Sequence, residues 1–284
     1  MVCLHGFTDT WRTWELVLPA LEGEVTAAAV ADAVEGAMDD AGVAAAHLVG
    51  NSLGGWLALE LAARGRALTV VALAPAGGWA ADERTWEALL DQQQRMVELA
   101  AAAAPYAETL LATPEGRRRA TQLLTTRSAH LPAKLLAHQL RGIAACTGAK
   151  AMIDGARRGG WPVRAERITC PVRVLWGTAD RLLPCPSAAV RYRREWLPHA
   201  DWVVLDDVGH CPQLDVPLER ASSSWASRRH RRRGEPGATP QMSTIIVLIC
   251  MTHVLSLETQ RRAPAPGRGR RERRARGSVL RSAR

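Results

Sequence analysis

The chain has 284 residues, 47% hydrophobic and 23% charged, which suits one large globular domain or a domain with an insertion and argues against a fibrous or wholly disordered chain. Its net charge of +9 is unevenly placed: residues 227–284 carry fifteen Arg and three Glu, which leaves 22 basic against 25 acidic residues in the rest, a net of −3. Six cysteines (Cys3, Cys146, Cys170, Cys185, Cys211, Cys250) show no metal-type pairing and no dense disulfide framework, and no cleavable leader opens the chain, so free thiols in a reducing, cytoplasmic setting are expected.

Taken in order, Met1–Leu4 is a short apolar run closed by His5-Gly6 and reads as a buried strand. Trp11–Glu22 has helical spacing at Trp14, Val17, Leu18 and Leu21. Glu24–Gly42 is a second helical pattern, with Val30, Val34 and Met38 on one face. His47–Gly50 is a strand, Leu53–Arg64 a helix, and Leu68–Ala74 a strand that is apolar except for Thr69. Strands apolar on both faces that alternate with helices predict an α/β fold with a mostly parallel sheet covered on both sides.

The period then changes. From Trp79 to about Arg167 no strand is expected, and helices are expected at Glu83–Ala104, Thr113–Thr126, Pro132–Gly142 and Ala149–Arg158. A long helical stretch inside an α/β alternation reads as a lid. Trp79, Trp86 and Trp161, with Met96 and Met152, are candidates for the wall of an apolar substrate pocket; the alternative is that they pack the lid's own core. His130 and His138 read as surface or capping residues. The alternation resumes at Cys170–Trp176, followed by Gly177-Thr178-Ala179-Asp180, a helix near Ser187–Trp196, and a last strand at Asp201–Leu205 that leads to Gly209-His210.

After Arg220 the character breaks. Arg228–Arg233 is a charge block, Gly234–Pro240 a Pro/Gly stretch and Ala263–Arg284 an Arg/Gly/Pro run; such composition cannot bury a core, and the tail 222–284 is expected to be disordered. The abruptness resembles that of a shifted reading frame or a misassembled gene model. Ile245–Met251 is an apolar island too short to span a bilayer, so no membrane contact is expected. The arginines offer the one route to nucleic acid, but no aromatics interleave with them, and a solvated tail is favoured.

The chemistry concentrates where four strands end: His5-Gly6, Ser52, Asp180 and His210. In open α/β sheets, ligands bind beyond the carboxyl ends of the strands, so the four groups converge on one place. Gly50-Asn51-Ser52-Leu53-Gly54 is Gly-x-Ser-x-Gly between a strand and a helix. That is the context in which a turn holds a serine hydroxyl up in a strained backbone conformation at the N-terminus of a helix. Asp206 and Asp207 are alternative acids, but they lie so close to His210 in sequence that Asp180 is preferred.

These motifs resemble the α/β-hydrolase superfamily in its cap-bearing branch. His5-Gly6-Phe7, with Trp14 nine residues after the histidine, resembles the oxyanion loop. Gly50–Gly55 resembles the nucleophile elbow, most closely that of carbon–carbon bond hydrolases acting on ring-cleavage products. Trp176–Asp180 with Pro184 resembles the acid loop. Gly209-His210-Cys211-Pro212 with Asp215 and Pro217 resembles the histidine loop, with Asp where Glu is commoner.

The resemblance covers about residues 1–221. It implies a hydrolase core at 1–77 and 169–221, a helical cap at 78–168 and an unrelated tail at 222–284. It further implies a small apolar substrate cleaved at an ester, or at a carbon–carbon bond next to a ketone, without metal or cofactor. Ser52 would be nucleophile, His210 base and Asp180 its orienting acid. The N–H groups of Phe7 and Leu53 would form the oxyanion hole, and His5, Gly6, Asn51, Trp79 and Trp161 the pocket. Serine at the elbow points away from the family's haloalkane dehalogenases and epoxide hydrolases. The family usually has two strands before the oxyanion loop's own, and a strand between the helices joined at Gly23. Their lack here makes a catalytically impaired remnant with a binding role the alternative expectation.

Overall fold

The computed structural model describes residues 27–78, 83–146, 148–159 and 161–216, with the backbone of 245–247. The expected strand at 1–4 and helix at 11–22 lie outside those residues. Helix α1 (Ala27–Asp40) comes first and buries Ala31, Val34 and Met38. Then come β1 (Ala46–Asn51), α2 (Leu53–Ala63) and β2 (Ala67–Leu73). Strands β3 (Val172–Gly177) and β4 (Asp201–Leu205) follow the helical segment. The sheet runs β4-β3-β2-β1-β5, and every neighbouring pair is parallel.

Its last strand, β5 (Ile245–Val247), is the apolar island of the tail. It pairs with His47–Val49 of β1, in a segment expected to be disordered. The parallel sheet is the one its composition demands. Leu48, Val70, Ala72, Val174, Leu175 and Trp176 are at most 1% exposed, because helices cover both faces.

Helix α2 is buried along its whole length. Its sequence explains this: Leu53, Trp56, Leu57, Leu59 and Leu61 place apolar side chains on every side, so no face is suited to water. Its one charged residue, Glu60, is paired with Arg64 and Arg164.

Between β2 and β3 the described residues form helices and no strand: α3 (Glu83–Ala103), α4 (Ala107–Ala112), α5 (Pro114–Thr121), α6 (Ala133–Ala145) and α7 (Ala149–Gly159). Helix α4 was not expected. It is six residues long, between Pro105 and Pro114, too short to show a period. The helix expected near Ser187–Trp196 is instead a 3-10 turn at Ser187–Ala189 and a π turn at Tyr192–Trp196. Pro184 and Pro186 deny its start a regular ladder.

Among the described residues, hydrogen bonds near the end and in the middle of the helical insertion fasten it to the sheet layer. Near its end, Trp56 Nε1 donates to Trp161 O at 3.0 Å. In its middle, residues 125–127 bind the carboxylate of Asp215 in the short helix α8 (Pro212–Asp215).

Candidate active site

Ser52 sits between β1 and α2 with φ 54° and ψ −120°. Such a backbone costs a non-glycine residue about 1–3 kcal/mol and persists only where its surroundings fix it. Three main-chain hydrogen bonds do so: Ser52 N donates to Leu73 O, and Ser52 O accepts from Trp56 N and Ala76 N. The flanking glycine is required by contact. A Cβ on Gly50 would fall on the backbone carbonyl of Gly54, so no larger residue fits under the turn. The strain expected from Gly-x-Ser-x-Gly is thus present, and its cause is visible. The first amides of α2, beginning with Leu53, have no partners within the helix and lie at its positive end.

Asp180 and His210 reach this place from the ends of β3 and β4. Gly177 lets the two loops touch, since a Cβ there would overlap Val208 O. Ala179 N donates to Val208 O at 3.0 Å. Asp180 Oδ1 accepts from the amides of Leu182 (2.9 Å) and Leu183 (2.7 Å). Its other oxygen, Oδ2, lies 2.8 Å from His210 Nδ1. Both side chains are fully buried. A carboxylate held by two backbone amides has one oxygen left. An imidazole that donates Nδ1–H to it keeps Nε2 as its acceptor. The alternative acids are engaged elsewhere: Asp206 accepts from Thr178, and Asp207 pairs with Arg127.

Asn51, expected in the pocket, is fully buried and is not among the described residues that wall the cavity beside Ser52. Its amide donates to Leu73 O (2.9 Å) and His210 O (3.0 Å), and its Oδ1 accepts from Gln213 (3.0 Å). The residue before the serine therefore braces the residue that carries the imidazole. Asp215 is a second brace that sequence reading noted only as a motif position. It accepts from Gly209 N (2.6 Å), Thr126 N (2.9 Å) and Arg127 N (2.9 Å), and from the Thr125 hydroxyl.

A narrow cavity of about 30 Å³ opens on Ser52, walled by Leu53 and Ala76 below and by Trp86, Gln93, Met152 and Trp161 of the insertion above. Trp161 stands between Trp56 (ring centroids 6.4 Å) and Trp86 (6.0 Å, edge-on). Of the pocket candidates, Trp86, Trp161 and Met152 line this cavity. Met96 lines a different one, about 540 Å³ between α3, α4, α5 and α6. His5, Gly6, Phe7 and Trp79 lie outside the described residues. Gln93 was not singled out, because it belongs to the polar run Asp91–Gln94 and nothing in that run marks one member as inward.

No group of three or more His, Cys, Asp or Glu among the described residues is arranged to hold a metal. Cys170 and Cys185 are free thiols. No described helix is long and apolar enough to cross a membrane.

The model of the alpha/beta hydrolase family matches residues 1–222. The chain belongs to that family. The hydrolase is 31% identical over 194 residues to the epoxide hydrolase EphH of Mycobacterium tuberculosis, covering 68% of this chain and 90% of that protein. Solved structures agree in fold. A bacterial membrane phospholipase A superposes with a TM-score of 0.55 at 22% identity, over 79% of this chain and 76% of that one. The 2-hydroxy-6-oxo-6-phenylhexa-2,4-dienoate hydrolase of Rhodococcus sp. strain RHA1 does so with 0.53 at 20% identity, over 79% and 88%. The meta-cleavage product hydrolase of Pseudomonas fluorescens IP01 gives 0.51 at 16%, over 79% and 88%.

Proposed function

We propose that this hydrolase cleaves an ester, or a carbon–carbon bond next to a ketone, of a small apolar substrate through an acyl-enzyme on Ser52. The observation that carries the reading is the buried Asp180–His210 pair at 2.8 Å, braced through Asn51 to the strained serine. His210 Nε2 takes the hydroxyl proton as Ser52 Oγ attacks the carbonyl carbon. Asp180 holds the ring in the tautomer that permits this and stabilises the imidazolium that forms. The oxyanion is held by the amide of Leu53 and, as the family resemblance implies, by that of Phe7, which lies outside the described residues. One such donor is worth about 2.7–4 kcal/mol. The protonated imidazole then gives its proton to the leaving group, and water, deprotonated by the same base, releases the acyl group. The insertion acts as a cap, with Trp86, Trp161 and Met152 over the acyl portion.

Epoxide opening is a second reading, favoured by the 31% identity to a protein of that name. Elbow chemistry weighs against it. A serine alkoxide that opens an epoxide leaves an ether, which water does not cleave, whereas a carboxylate nucleophile would leave a hydrolysable ester.

A fluorophosphonate probe and p-nitrophenyl butyrate separate the readings. Labelling that disappears in Ser52→Ala, with ester turnover, is expected. Labelling that survives Ser52→Ala overturns the role of Ser52. A folded protein that is neither labelled nor active on esters is the impaired, binding remnant, and diol formation from styrene oxide would favour the second reading.

A further inference from the structure

The strained backbone of Ser52 is held partly through its carbonyl, which accepts from Trp56 N and Ala76 N, both at 3.0 Å. Trp56 belongs to α2 itself. Ala76 belongs to the loop after β2, so the turn is only as firm as that loop. The loop is itself unfavourable: Ala74 has φ 40° and Gly77 φ 98°, both in the left-handed region. A clamp on it comes from the π turn at Tyr192–Trp196, in the chain that leaves the acid loop. Tyr192 is fully buried, and its hydroxyl donates to Ala76 O at 2.6 Å. Next to it, Arg191 N donates to Gly78 O at 2.9 Å. The phenol ring lies so close to Gly78 that a Cβ there would fall 2.1 Å from Tyr192 Cδ2.

We infer that Tyr192 is a positioning residue for the reaction: its hydroxyl fixes Ala76, and Ala76 fixes the turn that carries the nucleophile. The inference rests on the acyl-enzyme reading above. Phenylalanine has the same ring and would fill the same space, so packing alone does not call for a hydroxyl here. The carbonyl that takes the hydroxyl belongs to the very residue whose amide grips the strained serine. Ala76 also walls the cavity over Ser52, so a shift of this one residue reaches both the nucleophile's backbone and the space beside it. Without the phenol oxygen, Ala76 O loses this donor and the loop is free to relax, taking its grip on Ser52 O with it. A nucleophile moved by a fraction of an ångström from its line of attack loses rate steeply. Through Tyr192, the chain beyond the end of β3 thus sets the turn at the end of β1, by way of the loop that ends β2.

The test is Tyr192→Phe, which removes one oxygen and keeps the ring, assayed with p-nitrophenyl butyrate and the fluorophosphonate probe. Both kcat and kcat/KM are expected to fall together by roughly tenfold, and labelling of Ser52 to slow in proportion. The acidic limb of the pH–rate profile, which reports His210, stays in place, because the Asp180–His210 pair is untouched. Turnover is counted per serine labelled at completion, so an unfolded fraction does not enter, and concentrated sucrose favours the compact state should the variant fold poorly. Leu111→Ala is the control for stability alone. It hollows a separate apolar cluster of the insertion, between α4 and α6, and is expected to lower the urea midpoint while leaving turnover per site unchanged. Unchanged turnover per site in Tyr192→Phe overturns the inference, as does an equal loss in Leu111→Ala. A shifted acidic limb also overturns it, since Tyr192 would then act on the acid loop and not on the turn. Each of those results leaves the Ser52 mechanism standing. Wild-type protein that neither labels nor turns over the ester is instead failure of the serine-hydrolase reading itself.

Discussion

Asp215 gives the sharpest test of how the site is held. It is buried, and its two oxygens take donors from both sides of a seam: Gly209 N on the histidine loop, and Thr125 Oγ1, Thr126 N and Arg127 N on the insertion. Asparagine keeps the shape but converts one oxygen into a donor. If the new NH₂ takes the Oδ2 place, it opposes Gly209 N–H; if it takes the Oδ1 place, it opposes two amides. Either way at least one charge-assisted bond, worth about 1.5–3 kcal/mol, is lost, and a buried N–H is left unpaired at about 1–3 kcal/mol. Asp215→Asn is therefore expected to destabilise the protein by about 3–5 kcal/mol. In urea denaturation the midpoint falls with an unchanged slope, and thermal unfolding drops by roughly 10 °C. Ester turnover falls as well, because Gly209 directly precedes His210. A loss below about 0.5 kcal/mol with full activity would refute the reasoning, since it would mean the seam is held by packing and the carboxylate is incidental.

Other expectations follow from single observations. Ser52→Gly removes a side chain from a backbone at φ 54°, so the variant gains about 1 kcal/mol in urea denaturation while losing all turnover. Gly50→Ala forces a methyl onto the Gly54 carbonyl; it costs at least the 1–3 kcal/mol typical of overpacking, and fluorophosphonate labelling is lost with it. Tyr192 is fully buried and donates to Ala76 O at 2.6 Å, and desolvation holds its phenol well above the usual tyrosine range against the opposing pull of Arg191. The neutral form is thus favoured by folding. This contribution is complete below the unfolded value near pH 10 and declines as pH rises from there toward the folded one. In Tyr106→Phe protein, where Tyr192 is the only tyrosine, phenolate absorbance should appear only with alkaline unfolding; ionisation at pH 10 in the folded state would contradict the burial.

The sheet was legible because its strands carry their burial in their composition. Val70, Val71, Val174 and Leu175 sit in runs with no polar face, each closed by glycine or a turn. Asp180 and His210 were legible for the same reason, as residues just past strand ends. What escaped sequence reading depends on partners distant in the chain. Asn51 reads as part of the elbow's surroundings, and only the return of residue 210 to within hydrogen-bonding distance turns it into a brace. The pairing of Ile245–Val247 with β1 joins residues about 200 apart, and no local pattern encodes such a register. Gln93 escaped because the run Asp91–Gln94 is uniformly polar, and only the packing of α3 decides which member lines the cavity.

The position of the insertion has a consequence for the hydrolase's history. Neighbouring strands β2 and β3 pair Val70 with Val172, so the sheet closes over a loop of about a hundred residues. Closure entropy grows only with the logarithm of length: a loop fivefold longer than an ordinary crossover of twenty adds roughly 1.4 kcal/mol. That increment is small beside the burial the helices bring with them. Lengthening, trimming or exchanging the segment is therefore nearly free for the sheet, provided its replacement still offers donors to Asp215 and a carbonyl to Trp56. A scaffold with so forgiving a splice point can change what it admits without altering how it cuts.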